Sequence, residues 1–337
     1  MDAFDINDLA RGSKESGFLE ITPLPDGNLL KIPFLAARGQ NDGPVISVLA
    51  GVHGDEYEGI QAVREVFARL DTSLMHGTFV GLPVVNPPAV QVGTRNSPVD
   101  GLNLARTFPG EAHGTVSQRI AYQVSERIIA PADFMIDLHT AGARYTMPLY
   151  CGYYIHDEAQ ITEKSRAAAL AFGAVGADVV VKHTTRPWVT GERGRCGSTV
   201  EVSGRKGIPC LYTESTGGGW LRPEVVSFYA AGVVNVMKHL AILPGQPVRR
   251  EPGQVLMGPH HEILAPLSGF LVSEVGLLEP VKAGQRLGTL VGMRGEILAE
   301  VRAEHDGWVT TIRATPVIYS GEMAYALILR VDKGGDF

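Results

Sequence analysis

Four side chains capable of metal and proton chemistry stand just after three apolar runs. The first run, Val45 to Ala50, follows Gly43-Pro44 and breaks into Gly51-Val-His53-Gly-Asp-Glu56. A histidine and a carboxylate three residues apart on one turn can chelate a single divalent cation and leave positions for a further ligand and water. The second run is Asp133-Phe-Met-Ile-Asp137-Leu-His139, and the third is Ile208-Pro-Cys-Leu-Tyr-Thr-Glu214. Two imidazoles and one carboxylate are the donor types of a catalytic zinc site, and a second carboxylate nearby supplies a base. At this level either glutamate can fill either role. Each residue also has a plainer reading: His53-x-x-Glu56 as a solvated turn, His139 as a core histidine, Glu214 as a carboxylate at a helix start. Agreement of three independent strand ends favours the joint reading. Asp137 precedes His139 by two residues on the same strand face, where it orients a ligand or serves as a buried structural carboxylate.

The elements that must position these groups alternate. After the first turn, Ile60, Val63, Val66, Phe67 and Leu70 follow helical spacing from Tyr57 to Leu70. Strands are expected at Thr78–Val85, Asp133–His139, Asp178–Lys182 and Ile208–Glu214. Helices are expected at Val116–Ile129, Asp157–Phe172, Ser198–Lys206 and Pro223–Leu240. Residues 1–43 read as edge strands, with extended pieces at Phe18–Ile21 and Leu29–Ala36. This alternation defines an α/β fold with a largely parallel sheet and flanking helices, and open α/β sheets place ligands at the carboxyl ends of their strands. Two polar stretches lack periodicity. Gln91–Gly114 carries Arg95, Asp100, Asn103 and Arg106, and Thr184–Gly197 carries Arg186, Trp188, Arg193 and Arg195. Loops of this length in a compact domain tend to be functional.

From about residue 255 the chain becomes β-rich, punctuated by Gly and Pro, beyond a Pro244-Gly-Gln-Pro247 linker. Ala265-Pro-Leu-Ser-Gly269 is echoed by Ala303-Glu-His-Asp-Gly307, so two similar halves are expected in a small sandwich. The domains expected are therefore a catalytic unit over 1–248 and a β sandwich over 249–337. The tail resembles the biotinyl/lipoyl barrel-sandwich. The prosthetic-group lysine expected near Val291-Gly-Met-Arg294 is absent, so a covering or packing role is the better reading.

The 337 residues, 45% hydrophobic and 20% charged, suffice for a substantial core. A net charge of −6 without a Lys/Arg cluster argues against nucleic acid as a partner. Cys151, Cys196 and Cys210 form no Cys-x-x-Cys pair and read as free thiols of a reducing compartment. With no apolar signal core and no stretch of membrane-spanning length, the expectation is a cytoplasmic protein that does not engage a membrane. Self-association into a homo-oligomer is compatible with the sequence.

Together, Gly51-Val-His53-Gly-Asp-Glu56, Asn86-Pro with Arg95 downstream, Asp100-Gly-Leu-Asn-Leu-Ala-Arg106-Thr-Phe-Pro-Gly110, Asp137-Leu-His139 and Thr213-Glu214 resemble the succinylglutamate desuccinylase/aspartoacylase family. The likeness spans nearly the whole chain, β-rich tail included. It implies a zinc-carboxypeptidase-like fold and a hydrolase of N-acyl amino acids. It further implies one zinc ion on His53, Glu56 and His139, Glu214 as general base, and Arg95 polarising the scissile carbonyl. Arg106 would bind the substrate carboxylate, with Asn103 beside it. The family's Asp-Leu-Asn-Arg reads Asn103-Leu-Ala105-Arg106 here, so Ala105 replaces an amide of the substrate clamp. Arg186, Arg193 or Arg195 on the 184–197 loop could compensate. The expected activity is zinc-dependent cleavage of a small N-acyl amino acid or N-acyl diamino acid. The alternatives are a peptide metallocarboxypeptidase, disfavoured by the added β domain, and a non-catalytic ligand-binding relative.

Overall fold

The computed structural model describes residues 5–184 and 197–330. Arg186, Trp188, Arg193, Arg195 and Cys196 lie outside them. In chain order the elements are β1 (Lys14–Pro23), β2 (Leu29–Arg38), β3 (Asn41–Ala50), α1 (Glu58–Arg69), β4 (His76–Leu82), α2 (Pro87–Val92) and α3 (Val116–Val124). There follow β5 (Phe134–Leu138), β6 (Tyr145–Thr146), β7 (Tyr150–Tyr154), α4 (Ala159–Gly173), β8 (Val179–His183), α5 (Thr199–Arg205), β9 (Cys210–Glu214), α6 (Pro223–His239) and β10 (Gln254–Gly258). The remainder is all β: β11 (His260–Leu264), β12 (Gly269–Ser273), β13 (Pro280–Val281), β14 (Arg286–Val291), β15 (Ile297–Arg302), β16 (Gly307–Arg313), β17 (Val317–Ile318) and β18 (Met323–Leu329).

Nine strands form the principal sheet in the order β1-β2-β4-β3-β5-β9-β7-β8-β10. Its centre is parallel. β3 pairs with β4 and β5, and β5 with β9, all in parallel, whereas β7 meets β9 antiparallel. Both faces are covered, so the central strands read as unbroken apolar runs; Ile46, Val48, Phe134 and Ile136 are essentially solvent-free. Full burial of each such side chain is worth roughly 1.5–3 kcal/mol. One face packs against α1, α4 and α6 through Val63, Phe172 and Val233, and the other against the α3 and α5 side through Ile120, Phe108 and Val202. On α1 the apolar stripe Ile60, Val63 and Val66 is buried while Arg64 and Arg69 face solvent, as an amphipathic helix requires. A capping box of Thr115 and Gln118 starts α3.

Three features differ from the sequence reading. The helix expected through Ile129 is α-helical only to Val124; Ser125–Ile129 continues it as a wider π turn, with Ser125 Oγ bonded to the Pro109 carbonyl 3.1 Å away. Strand β7 was not legible, because Tyr-Cys-Gly-Tyr-Tyr has no polar alternation and a central glycine. A Cβ on Gly152 would stand 2.5 Å from the Tyr212 ring, so glycine makes room for the aromatic side chains around it. Finally, β10 lies beyond the Pro244–Pro247 linker yet adds to the principal sheet, parallel to β8.

The C-terminal strands form two antiparallel sheets, β11-β18-β16-β13 and β15-β14-β12-β17, enclosing Leu271, Leu290, Val309 and Leu327. This sandwich is joined to the principal unit close to its strand ends. β6 pairs with β16, the Ala314 amide donates to the Arg144 carbonyl at 2.9 Å, and Arg144 reaches Glu322 at 3.1 Å. Among the described residues no helix is long and apolar enough to cross a membrane. Cys151 and Cys210 are buried free thiols.

Candidate active site

Because β3, β5 and β9 are neighbours and parallel, the turns after them open at one edge of the sheet. His53 and Glu56 follow β3, His139 follows β5 and Glu214 ends β9. The β3 turn is held by close approach to the next segment. Gly54 donates its amide to the Thr94 carbonyl at 2.9 Å, and a Cβ there would overlap the Ala89 carbonyl. The same bond brings Arg95 to the site, its Nη1 3.4 Å from Glu56 Oε1.

Glu56 is the centre of the group. Its Oε1 lies 2.7 Å from His53 Nδ1 and its Oε2 2.8 Å from His139 Nδ1; the Thr140 amide also donates to Oε2 at 3.2 Å. All three side chains are buried, and one ligand atom from each lies within 4.8 Å of the others. The outer nitrogens are engaged too: His53 Nε2 is 3.1 Å from Asn103 Oδ1, and His139 Nε2 is 3.1 Å from Asp137 Oδ2. Asn103 Oδ1 also accepts the Ala105 amide at 3.0 Å, so it presents its oxygen to the ring.

Each imidazole thus faces an acceptor at both nitrogens, while a neutral ring carries one N–H. With that proton on Nε2, both Nδ1 lone pairs converge beside the carboxylate, and a positive charge is needed between them. This is the donor set, with its outer acceptors, that a divalent transition ion takes. The residues fit such an ion. The electrostatics of the group make the same demand. Burial opposes ionisation of Glu56, but His53 and His139 outweigh it and hold that carboxyl far below its ordinary range. Burial lowers His53 despite Glu56. For His139, burial is overcome by Asp137 and Glu56, which raise it well above the usual imidazole value.

Glu214 behaves oppositely. Burial first, and the negative Glu56 second, push it up to about 8 against the pull of His139 and Arg95. Its Oε2 is buried without a hydrogen-bond partner among the described residues. A carboxyl in this state can take or give a proton near neutrality.

Of the residues singled out from the sequence, the structure gathers His53, Glu56, His139, Glu214 and Arg95. Arg106 is exposed, its Nη1 donating to the Ala105 carbonyl at 2.9 Å. Asn103, expected beside a substrate carboxylate, has its oxygen on His53. Ala105 is buried in the apolar cluster with Leu104 and Phe108. Arg193 and Arg195 lie outside the described residues; Gly197, which follows them, packs so tightly on Arg106 that a Cβ would be 2.9 Å from the Arg106 Cα. Sequence reasoning missed Thr199, whose hydroxyl donates to Asp137 Oδ2. It also missed Tyr229, whose hydroxyl donates to the His139 carbonyl. Neither carries a local signal, because both contacts join distant segments.

A parallel-centred α/β sheet with a buried His-Glu-His group at its strand ends and a β sandwich beside them defines a class. The sequence profile of the succinylglutamate desuccinylase/aspartoacylase catalytic domain matches residues 42–240, and the chain belongs to that family. It is 29% identical over 316 residues to the N-alpha-acetyl-L-2,4-diaminobutyric acid deacetylase of Halomonas elongata, covering 91% of this chain and 89% of that one. Among solved structures, it resembles the succinylglutamate desuccinylase/aspartoacylase of Rhodobacter sphaeroides at 26% identity, with a TM-score of 0.86 and 99% of both chains covered. The product-bound ectoine utilization protein EutE (DoeB) of Ruegeria pomeroyi is similar at 26% identity, with a TM-score of 0.85 and 96% and 97% of the two chains covered.

Proposed function

We propose that the protein is a zinc-dependent amidohydrolase that removes the acyl group from a small N-acyl amino acid, with an N-acyl diamino acid as the favoured substrate. The observation that carries this reading is the carboxylate of Glu56 shared between two Nδ1 atoms, with the protonatable Glu214 beside it. Similarity over nine-tenths of the chain to a deacetylase of an acetylated diamino acid supports the substrate class.

His53, Glu56 and His139 would hold the ion, oriented by Asn103 and Asp137. An ion so bound lowers the pKa of water and polarises the amide carbonyl. Glu214 then accepts the proton of the attacking water on a carboxylate oxygen and returns it to the leaving amine. Arg95, 3.4 Å from Glu56 and half-exposed, stabilises charge developing on the carbonyl oxygen; one such donor is typically worth about 3–4 kcal/mol. Arg106 binds the substrate carboxylate, and Arg193 or Arg195 would supply the second contact that Ala105 does not. In this reading the boundary expected at 248/249 moves past β10, which belongs to the principal sheet, and the sandwich from β11 onward narrows the cleft, supported by the β6–β16 pairing. The setting would be the cytoplasm.

Metal analysis of the purified protein together with turnover on a panel of N-acyl amino acids tests the proposal. About one zinc per chain and hydrolysis of acetylated diaminobutyrate or a close analogue are expected. A metal-loaded protein that cleaves no member of the panel would overturn the activity.

A further inference from the structure

The C-terminal sandwich consists of two copies of one four-stranded unit, β11–β14 and β15–β18. The sheet β11-β18-β16-β13 has the same strand correspondence as β15-β14-β12-β17. Ile263, Ala265 and Gly269 stand in the first unit as Val301, Ala303 and Gly307 stand in the second, and the four apolar residues among them are buried. In that register there are two equivalent corners, each set between the first strand of one copy and the turn after the first strand of the other. In one corner the matching positions are Ala299, Pro266 and Leu267. In the other they are His261, Glu304 and His305. The repeat therefore does not require polar residues there; one corner has three metal-ligating side chains where its equivalent has none.

Those three side chains converge. His261 Nε2 lies 3.1 Å from Glu304 Oε2, the His261 and His305 ring centroids are 4.9 Å apart at 84°, and one ligand atom from each residue lies within 4.8 Å of the others. His305 has no hydrogen-bond partner for its ring nitrogens among the described residues. The turn that carries two of the ligands is fixed on both sides. The Ala303 amide donates to the Gln285 carbonyl at 2.8 Å, and the Gly284 amide to the Ala303 carbonyl at 2.8 Å. Asp306 is drawn away from the group by Lys282 Nζ at 2.7 Å and the Ala283 amide at 2.9 Å. The set is thus one imidazole and one carboxylate on a preorganised turn, with a second imidazole facing them from β11.

We propose that His261, Glu304 and His305 form a second metal site, separate from the His53 group, for a divalent first-row transition ion such as Zn²⁺, Ni²⁺ or Cu²⁺. Imidazole nitrogen selects these ions over Mg²⁺ and Ca²⁺, which prefer oxygen cages. Ligand atoms around a tetrahedral ion stand about 3.4 Å apart for bonds of about 2.1 Å, and rotation of these partly exposed side chains closes the remaining distance. The fourth position is open to water. An ion there ties β11 to the β15–β16 turn, a staple across the sandwich. This inference does not depend on the proposed activity.

The test is equilibrium dialysis of the full-length protein against buffered Zn²⁺, with bound metal counted by mass spectrometry. The wild type should hold two ions per chain, and the His261→Gln/His305→Gln variant one, with turnover unchanged. His53→Ala should keep the second ion while losing the first, which separates this site from the active-site group. Glu304→Gln, at an exposed position where folding is not at risk, should weaken the second site tenfold or more. Cu²⁺ added to the His53→Ala protein should give an electron-paramagnetic spectrum with nitrogen hyperfine structure that His261→Gln/His305→Gln abolishes. Equal metal counts in wild type and the double variant would overturn the proposal, as would a copper spectrum indifferent to these substitutions.

Discussion

Asp137 and His139 stand two residues apart at the end of one strand, and Asp137 Oδ2 lies 3.1 Å from His139 Nε2 while His139 Nδ1 turns to Glu56. The same carboxylate oxygen accepts the Thr199 hydroxyl. Asp137 therefore fixes both the ring's orientation and its tautomer, and ties the β5 end to the start of α5. Outer-shell carboxylates of this kind typically govern metal affinity by 10- to 100-fold. Asp137→Asn should weaken zinc binding by about that factor with little change in the circular-dichroism spectrum. Competition with a chromophoric chelator measures it, and unaltered affinity would leave Asp137 a structural residue only.

Glu214→Gln should retain fold and metal yet lose about 10²–10⁴ in kcat, the usual contribution of a positioned base. The amide keeps the shape of the side chain but cannot shuttle a proton. Steady-state kinetics paired with metal analysis decides it; a near-wild-type rate would assign the base elsewhere.

Much of this arrangement was legible because its parts are local. Val45–Ala50, Asp133–His139 and Ile208–Glu214 each announce a buried strand by composition, and His53, Glu56, His139 and Glu214 each come directly after or at the end of one. Parallel neighbours then bring those ends together without further instruction. What stayed hidden depends on contacts between distant segments. Asn103 meets His53 across 50 residues and Thr199 meets Asp137 across 62, and no spacing rule registers either. The burial of Ala105 depends on how a short 3₁₀ turn at Leu104–Arg106 packs, and the return of β10 to the principal sheet on a strand partner far upstream.

His183 carries a pH signature. Its ring is buried, with Nε2 against the hydroxyls of Tyr150 and Tyr212 and Nδ1 without a partner among the described residues. Burial first, and His260 second, push it down to about 3. Unfolded, it titrates near 6.5. Between these values the unfolded chain binds a proton that the folded one refuses, so stability rises with pH. His183 thus contributes fully above about pH 6.5, and its contribution is lost as pH falls toward 3, by a few kcal/mol over the whole window. Urea unfolding at pH 7, 6 and 5 should show the midpoint falling, and His183→Gln should flatten that slope. An identical slope in the variant would exclude His183 as its source.

Ala105 occupies the place of a clamp amide in the family's motif, yet its methyl group is 5% exposed and packs among Leu104, Phe108 and Ile120. Its carbonyl, not its side chain, engages Arg106. An asparagine there must either bury an unpartnered amide, at about 1–3 kcal/mol by mutational scales, or swing the turn outward to reach the cleft. The first course lowers stability and leaves substrate affinity unchanged. The second restores a charge-assisted bond worth about 1.5–3 kcal/mol to a substrate carboxylate. Burial of the turn by Phe108, with its amide bonded to the Gly197 carbonyl at 3.0 Å, favours the first. Ala105→Asn should therefore lower the urea midpoint without a tenfold gain in kcat/KM toward acetyl-aspartate or succinyl-glutamate. Side-by-side unfolding and kinetic measurements on wild type and variant decide the matter. Wild-type stability together with a tenfold gain on either substrate would show that the turn yields and that position 105 faces the substrate.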